Sequence, residues 1–332
     1  MAKGKYLKTD LENRNDTPAE KNRLRAIYDD LVARGSAGIP LSAIEQAHVQ
    51  AGLRFLGEPL GKYAFAEEGR FKEIYLTYFH DITGGSRYVK TDGRGNLRTV
   101  PQMERDSDLQ YLIDEAEKWE RLIQPGGHTD LLLQEATKEA KADRKTLDRL
   151  ENIASRPGHS GTYYYKYKVW GLYLRSRWMY LLAKEILENT DPGDCFYQFC
   201  GETIEFTEFS LMHILNRHFA EVTKQFVSGK DYHPEDFKPR ILTAQIKAIV
   251  DSIDKTGLFT PQVRTEINLK FEGTVYQLWA TMQNRNIPGR GIVPYKRLQS
   301  FYPVSDPAVL AKLTTGFREE TVSAVLSVFV PI

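Results

Sequence analysis

The spacing of apolar residues along this chain changes period once, near residue 257, and that change limits the fold more than any motif does. Before it, apolar positions recur every three or four residues: Leu24, Ile27, Tyr28 and Leu31, then Leu109, Leu112, Ile113, Ala116 and Trp119, and later Ile241, Leu242, Ile246, Ile249, Val250 and Ile253. Such spacing predicts amphipathic helices. Beyond it, V-R-T-E-I-N-L-K-F, the turn Glu272-Gly273 and T-V-Y-Q-L-W-A-T-M alternate on both arms, as a β-hairpin does. Y-K-R-L-Q-S-F-Y-P-V then reads as another strand, closed by Pro303. Helices followed by antiparallel strands describe an α+β chain: a mainly helical amino-terminal half, and carboxy-terminal helices packed on a small antiparallel sheet.

Punctuation refines this outline. Asp16 or Thr17 is positioned to cap a helix before Pro18, and Leu41-Ser42 opens a second helix carrying Ile44, Val49 and Leu53. Phe71 to Phe79 is apolar and aromatic enough to be a buried element. The run G-G-S-R-Y-V-K-T-D-G-R-G-N-L-R-T-V reads as a hairpin or mobile loop; it lacks the G-K-[ST] and G-x-G-x-x-G of phosphate-cradling loops. Leu131 to Ile153 interleaves lysines and arginines with acids, the pattern of a solvated helix. S-R-P-G-H-S-G interrupts it, so the expected division is 1–158, a mainly helical domain of unknown role, and 159–332, the α+β domain. The aromatic and basic segment from Tyr163 to Tyr180 suits either a buried helix or a nucleic-acid surface.

Composition narrows the function classes. With a formal net charge of +1 and 27% charged residues, global electrostatics favour neither nucleic acid nor membrane, and any basic patch must be local. No run of eighteen apolar residues occurs, and M-A-K-G-K-Y-L-K lacks a secretory apolar stretch, so a soluble, cytoplasmic protein without membrane partners is expected. Cys195 and Cys200 are the two cysteines; their aromatic neighbours favour buried free thiols over a disulfide framework.

The chemistry concentrates in I-E-F-T-E-F-S-L-M-H-I-L-N-R-H, from Ile204 to His218. Ile204 and Phe206 suggest a short strand. Leu211, Leu215, Phe219, Val222 and Phe226 then predict a helix over 209–226. Histidine exchanges protons near neutrality, and a neighbouring arginine can hold a phosphate, which together suggest phosphate chemistry. At about 100° per residue, His213 falls with Ser210 and Arg217 on the polar side, and His218 at the margin of the apolar stripe, so the two imidazoles do not share one face. That spacing does not fit a zinc pair of the H-E-x-x-H kind, and neither a metal nor any other cofactor is expected. An interior hydrogen-bonded histidine beside a surface one is the structural alternative.

With the strand, the histidine helix, a further helix, a hairpin and a last strand ending L-Q-S-F-Y-P, residues 200–304 resemble the BECR superfamily of metal-independent ribonucleases, which takes its name from barnase, EndoU, the colicin tRNases and RelE. Many of its members are phage-encoded or polymorphic-toxin domains. The resemblance implies an endoribonuclease that cleaves RNA, with tRNA among the candidates, by attack of the ribose 2′-hydroxyl to leave a 2′,3′-cyclic phosphate. It implies His218 and His213 as the catalytic histidines, with His218, at the apolar margin, favoured as base or acid, Arg217 on phosphate or ordering His213, and Ser300 donating to a non-bridging oxygen. Arg264, Lys270, Arg285, Arg290 and Arg297 are further candidate cations, and Tyr302 a candidate base-stacking ring. An inhibitor (immunity) protein is a further candidate partner. Two rivals stand beside this expectation: a non-catalytic phage structural, accessory or RNA-binding module, and a helical nuclease of the HEPN type. Arg217 directly before His218 departs from the R-x4-6-H spacing of the latter.

Overall fold

The computed structural model describes residues 6–37, 39, 41, 43–55, 64–79, 89–91, 97–156, 158–219, 231–234, 237–261 and 264–332. Most of the glycine-rich run between residues 84 and 96, and Val222 and Phe226, expected in the histidine helix, lie outside them. The chain divides into two compact units, one of residues 1–126 and 140–188, the other of 127–139 and 189–332.

The first unit is helical. A short turn α1 (Lys8–Leu11) precedes α2 (Pro18–Ser36), α3 (Ala43–Phe55) and α4 (Ala64–Phe79). Thr17 caps α2, its hydroxyl accepting from the Glu20 N–H at 3.3 Å, and Pro18 fills the first turn, where no N–H is needed. Ile27 and Leu31 of α2 close on Leu41 and Val49 in one small core. The aromatic segment before residue 79 is the buried face of α4. A hairpin, β1 (Val89–Thr91) with β2 (Leu97–Thr99), leads to α5 (Gln102–Ile123), α6 (Leu131–Leu150), whose residues 131–139 belong to the second unit, and α7 (Tyr163–Asn189). Trp119 of α5 donates from Nε1 to Ser176 of α7 at 3.1 Å, and Tyr75 stacks on Trp178. Much of the aromatic segment of α7 is therefore core, with Tyr163, Tyr164 and Tyr167 left exposed.

The second unit is built on a mixed sheet of seven strands in the order β3-β4-β7-β6-β5-β9-β8. These are β3 (Phe196–Phe199), β4 (Glu202–Glu205), β5 (Arg264–Phe271), β6 (Thr274–Ile287), β7 (Gly291–Pro303), β8 (Phe317–Thr321) and β9 (Leu326–Pro331), with α8 (Glu208–His218), α9 (Leu242–Asp254) and α10 (Pro307–Gly316) between them. The α+β class is as the period change indicates, but the sheet is larger than expected and not purely antiparallel, because β4 joins β7 in parallel. Glu272 and Gly273 both take positive φ, at 48° and 82°, which suits the right-handed twist of the β5–β6 hairpin. Ile267, Leu269, Leu278, Ala280, Leu298, Phe301 and Val328 are all fully buried and form the apolar side of the sheet.

The junction that matters for the site is on β7. Its pairing with β4 covers only Ile204 with Lys296 and Glu205 with Arg297. Past that point the chain of β4 has turned into α8. The edge of β7 then meets side chains instead of a strand: Ser210 of α8, fully buried, donates from Oγ to the Leu298 carbonyl at 2.7 Å, and His233 Nε2 meets the Phe301 carbonyl at 3.1 Å. Between them β7 bulges. Trp279 faces Ser300 while Ala280 faces Leu298, so Gln299 is the extra residue, a device that re-aims neighbouring side chains. Ser210→Ala leaves the buried Leu298 carbonyl without this donor, and a loss of about 1–3 kcal/mol in stability is expected, read as a lower urea midpoint at unchanged slope.

Candidate active site

Helix α8 opens at Thr207, whose hydroxyl and backbone pair reciprocally with Ser210, and it ends at His218. That abrupt end determines the geometry of the cluster. Phe219 leaves helical conformation, and His218 turns its ring onto β7. Its Nδ1 lies 3.0 Å from the Asp231 carbonyl and its Nε2 lies 3.2 Å from Ser300 Oγ. A carbonyl can only accept, so Nδ1 carries the proton, and in the neutral ring the lone pair of Nε2 faces the Ser300 hydroxyl. A histidine in that tautomer is oriented to act as a base. Tyr302 stacks on the same imidazole with ring centroids 4.7 Å apart and planes 10° apart, and this fixes the ring's tilt.

His213 stands with its ring centroid 6.2 Å from that of His218. Helical spacing alone separates the two, but the helix stops at His218 and the rings converge. On its other side His213 stacks on Phe209 at 5.5 Å, and the Arg297 guanidinium lies 3.8 Å over the Phe209 ring. Arg217 lies 3.0 Å from Glu139 Oε2, and Asn216 Nδ2 donates to that oxygen at 2.6 Å. His213 Nδ1 is 3.9 Å from Glu139 Oε1, an ion-pair rather than a hydrogen-bond distance. Burial alone would raise the Glu139 carboxyl, but His213, Arg217 and Asn216 outweigh it and hold it below the ordinary carboxylate range.

The structure thus brings His218, His213, Ser300 and Tyr302 together, with Arg217 beside them and Arg297 behind Phe209. Ser210, expected on the polar side of the helix, is fully buried and serves the sheet instead. Tyr302 turns one ring face to His218, and its hydroxyl donates to Gln277, whose amide reaches Glu266 at 2.9 Å and Asn268 at 3.2 Å. Arg290 is not part of the cluster: it lies in the turn of the β6–β7 hairpin, which at ~3.3 Å per residue leaves it roughly 30 Å along the strand from Ser300. Arg285 pairs with Glu205 and lies over Tyr295, and Lys270 lies 3.8 Å from Glu319. Arg264 is described through its backbone, paired with Thr281. Cys195 and Cys200 are free thiols, half-buried rather than buried; burial pushes Cys195 up to about 11.

Sequence reasoning passed over Glu139, Asn216, Asp231 and His233. Asn216 had a signal, a polar residue within I-L-N-R-H, but Glu139 and Asp231 reach the cluster only through tertiary contact. No family model, no curated protein and no solved structure matches this chain.

His233 supports the cluster from below. Its backbone N–H donates to the His218 carbonyl at 2.8 Å, and its ring is sandwiched by Phe219 and Phe237 at 4.5 and 4.7 Å. Since Nε2 donates to the Phe301 carbonyl, Nδ1 is the unprotonated nitrogen, buried and without a hydrogen-bond partner among the described residues. Burial, with the nearby His218, pushes its pKa down from 6.5 to about 3. The unfolded chain therefore takes up a proton through the range from 6.5 down to 3 while the native state refuses it. Stability from the neutral ring is complete above the upper value and lost progressively toward the lower, a change of roughly a few kcal/mol. Urea midpoints at several pH values between neutrality and pH ~4 are expected to fall more steeply for wild type than for His233→Gln, which keeps a neutral donor. Parallel curves would remove the assignment.

Proposed function

We propose that the second unit is a metal-independent endoribonuclease that cleaves RNA by internal attack of the ribose 2′-hydroxyl. The observation that carries this reading is His218, whose Nδ1–H donates to the Asp231 carbonyl and whose Nε2 faces Ser300, with a second imidazole 6.2 Å away. In the proposed step His218 Nε2 takes the 2′-hydroxyl proton, the O2′–P bond forms, and the P–O5′ bond breaks. His213 delivers a proton to the departing O5′, and the products are a 2′,3′-cyclic phosphate and a 5′-hydroxyl. Ser300, released from His218, donates to a non-bridging oxygen, and Arg217 offsets the charge that develops there. RNA is the partner, and this reading carries with it an inhibitor protein as a further one. No described helix is long and apolar enough to cross a membrane.

A second reading, a non-catalytic RNA-binding or accessory module, is favoured by two observations: both ring nitrogens of His218 already have partners, and Ser300 is 4% exposed. The two separate in one assay. Total tRNA and a structured RNA are incubated with the protein in excess EDTA and the new ends are analysed. Cyclic phosphate ends are expected, with His218→Ala lowering the rate by about 10²–10⁴-fold while thermal unfolding moves little. Absence of cleavage by wild type, or equal cleavage by His213→Ala/His218→Ala, would transfer the assignment to the binding module.

A further inference from the structure

We propose that His213, Asn216 and Arg217 form an oxyanion site of the phosphate class, and that the chain occupies it with its own Glu139. The three residues stand at helical positions i, i+3 and i+4, so the backbone of α8 presents them as one patch before any ligand arrives. What they hold is a carboxylate from α6, 77 positions from Asn216 along the chain. Asn216 Nδ2 at 2.6 Å and Arg217 Nη2 at 3.0 Å converge on one oxygen, and His213 Nδ1 faces the other at 3.9 Å. A carboxylate carries one negative charge over two geminal oxygens, and so does a phosphodiester through its non-bridging pair; an amide, a guanidinium and an imidazole are donors both can use.

The donors of the patch argue that an anion belongs there: Asn216 is buried, while the Arg217 and His213 side chains, 32% and 30% exposed, are reachable from solvent. Asn216 is 9% exposed, and its amide and the Arg217 guanidinium lose their shared acceptor if Glu139 leaves. A buried amide donor is costly to leave unmade, and beside a guanidinium the acceptor that best replaces the carboxylate is another oxyanion. Glu139 itself is 19% exposed at its side chain, on a helix that continues past it, so its carboxylate can swing aside without breaking backbone hydrogen bonds. In the filled state its charge also cancels that of Arg217 next to His213. The chain is thereby held in a self-occupied form that a phosphate must displace. The anion site stands on this geometry alone; identifying the displacing phosphate as one in an RNA backbone rests on the nuclease reading.

The test uses the full chain with Glu139→Ala and Glu139→Gln, titrated with inorganic phosphate by calorimetry at constant ionic strength, beside the RNA cleavage assay in EDTA. Glu139→Ala is expected to bind inorganic phosphate at least about tenfold more tightly than wild type, and adding Arg217→Ala is expected to cancel the gain. Glu139→Gln, which keeps an acceptor for Asn216 but no charge, is expected to move the same way by less, and it serves if the alanine variant loses its fold. Cleavage is expected to rise in both. Tighter phosphate binding with no RNA cleaved by any variant would support the anion site and remove the nuclease reading. Unchanged phosphate binding in both variants would overturn the proposal, and if cleavage then also fell, Glu139 would be a positioning residue for His213.

Discussion

A strand edge that loses its neighbour halfway along must find other partners for its carbonyls, and in the second unit this requirement assembles the histidine cluster. β7 pairs with β4 only as far as Arg297, and from there the Leu298 and Phe301 carbonyls accept from Ser210 and His233. Side chains thus do what a strand would otherwise do, and both donors are buried. Satisfying a buried carbonyl this way docks α8 at one end and the residue 231–234 segment at the other. His218 lies between the two and takes its own orientation from Asp231 in that segment. The bulge at Gln299 belongs to the same device, since it sets Ser300 toward His218 within a strand whose Leu298 points into the core.

Below this junction the packing is aromatic, and above it polar. Phe219, His233, Phe237, Tyr276 and Phe301 stack against one another, and a charged imidazole cannot be accommodated there. On the opposite side of β6 and β7, Tyr302, Gln277, Asn268 and Glu266 form a hydrogen-bonded relay across three strands. Two histidines joined by a backbone hydrogen bond therefore serve different ends: His233 is held neutral as a structural donor, whereas His218 directs Nε2 at a hydroxyl. Environment, not residue type, separates them.

Glu139 gives the site a second level of control. It ties α6 to α8 through one carboxylate, and the residues it engages are those that a phosphate would need. A structural ion pair and an internal substitute for substrate use the same contacts; they differ in what happens when another oxyanion competes. Because the donors are fixed by helical spacing while the acceptor comes from a separate helix, competition requires movement of the carboxylate alone.

How much of this could be read along the chain follows from the range of each interaction. The α+β class, the Thr17 cap before Pro18, the β5–β6 hairpin with its Glu272-Gly273 turn and the start of α8 at Thr207 depend on residues a few positions apart, and periodicity and turn chemistry expose them. The strands β3, β8 and β9 are short or carry charged faces, so no alternation announced them, and the parallel β4–β7 pair depends on a crossover that local pattern does not encode. The sequence by itself determined which residues are candidates for the proposed chemistry: two imidazoles and a guanidinium within six positions of one helix, and a serine in a strand before Tyr302. Only the tertiary structure decided their arrangement, because helical geometry alone sends His213 and His218 to different faces. The end of α8, the Asp231 carbonyl, the bulged edge of β7 and the carboxylate of Glu139 bring them together, through contacts made across 13, 82 and 77 positions of chain.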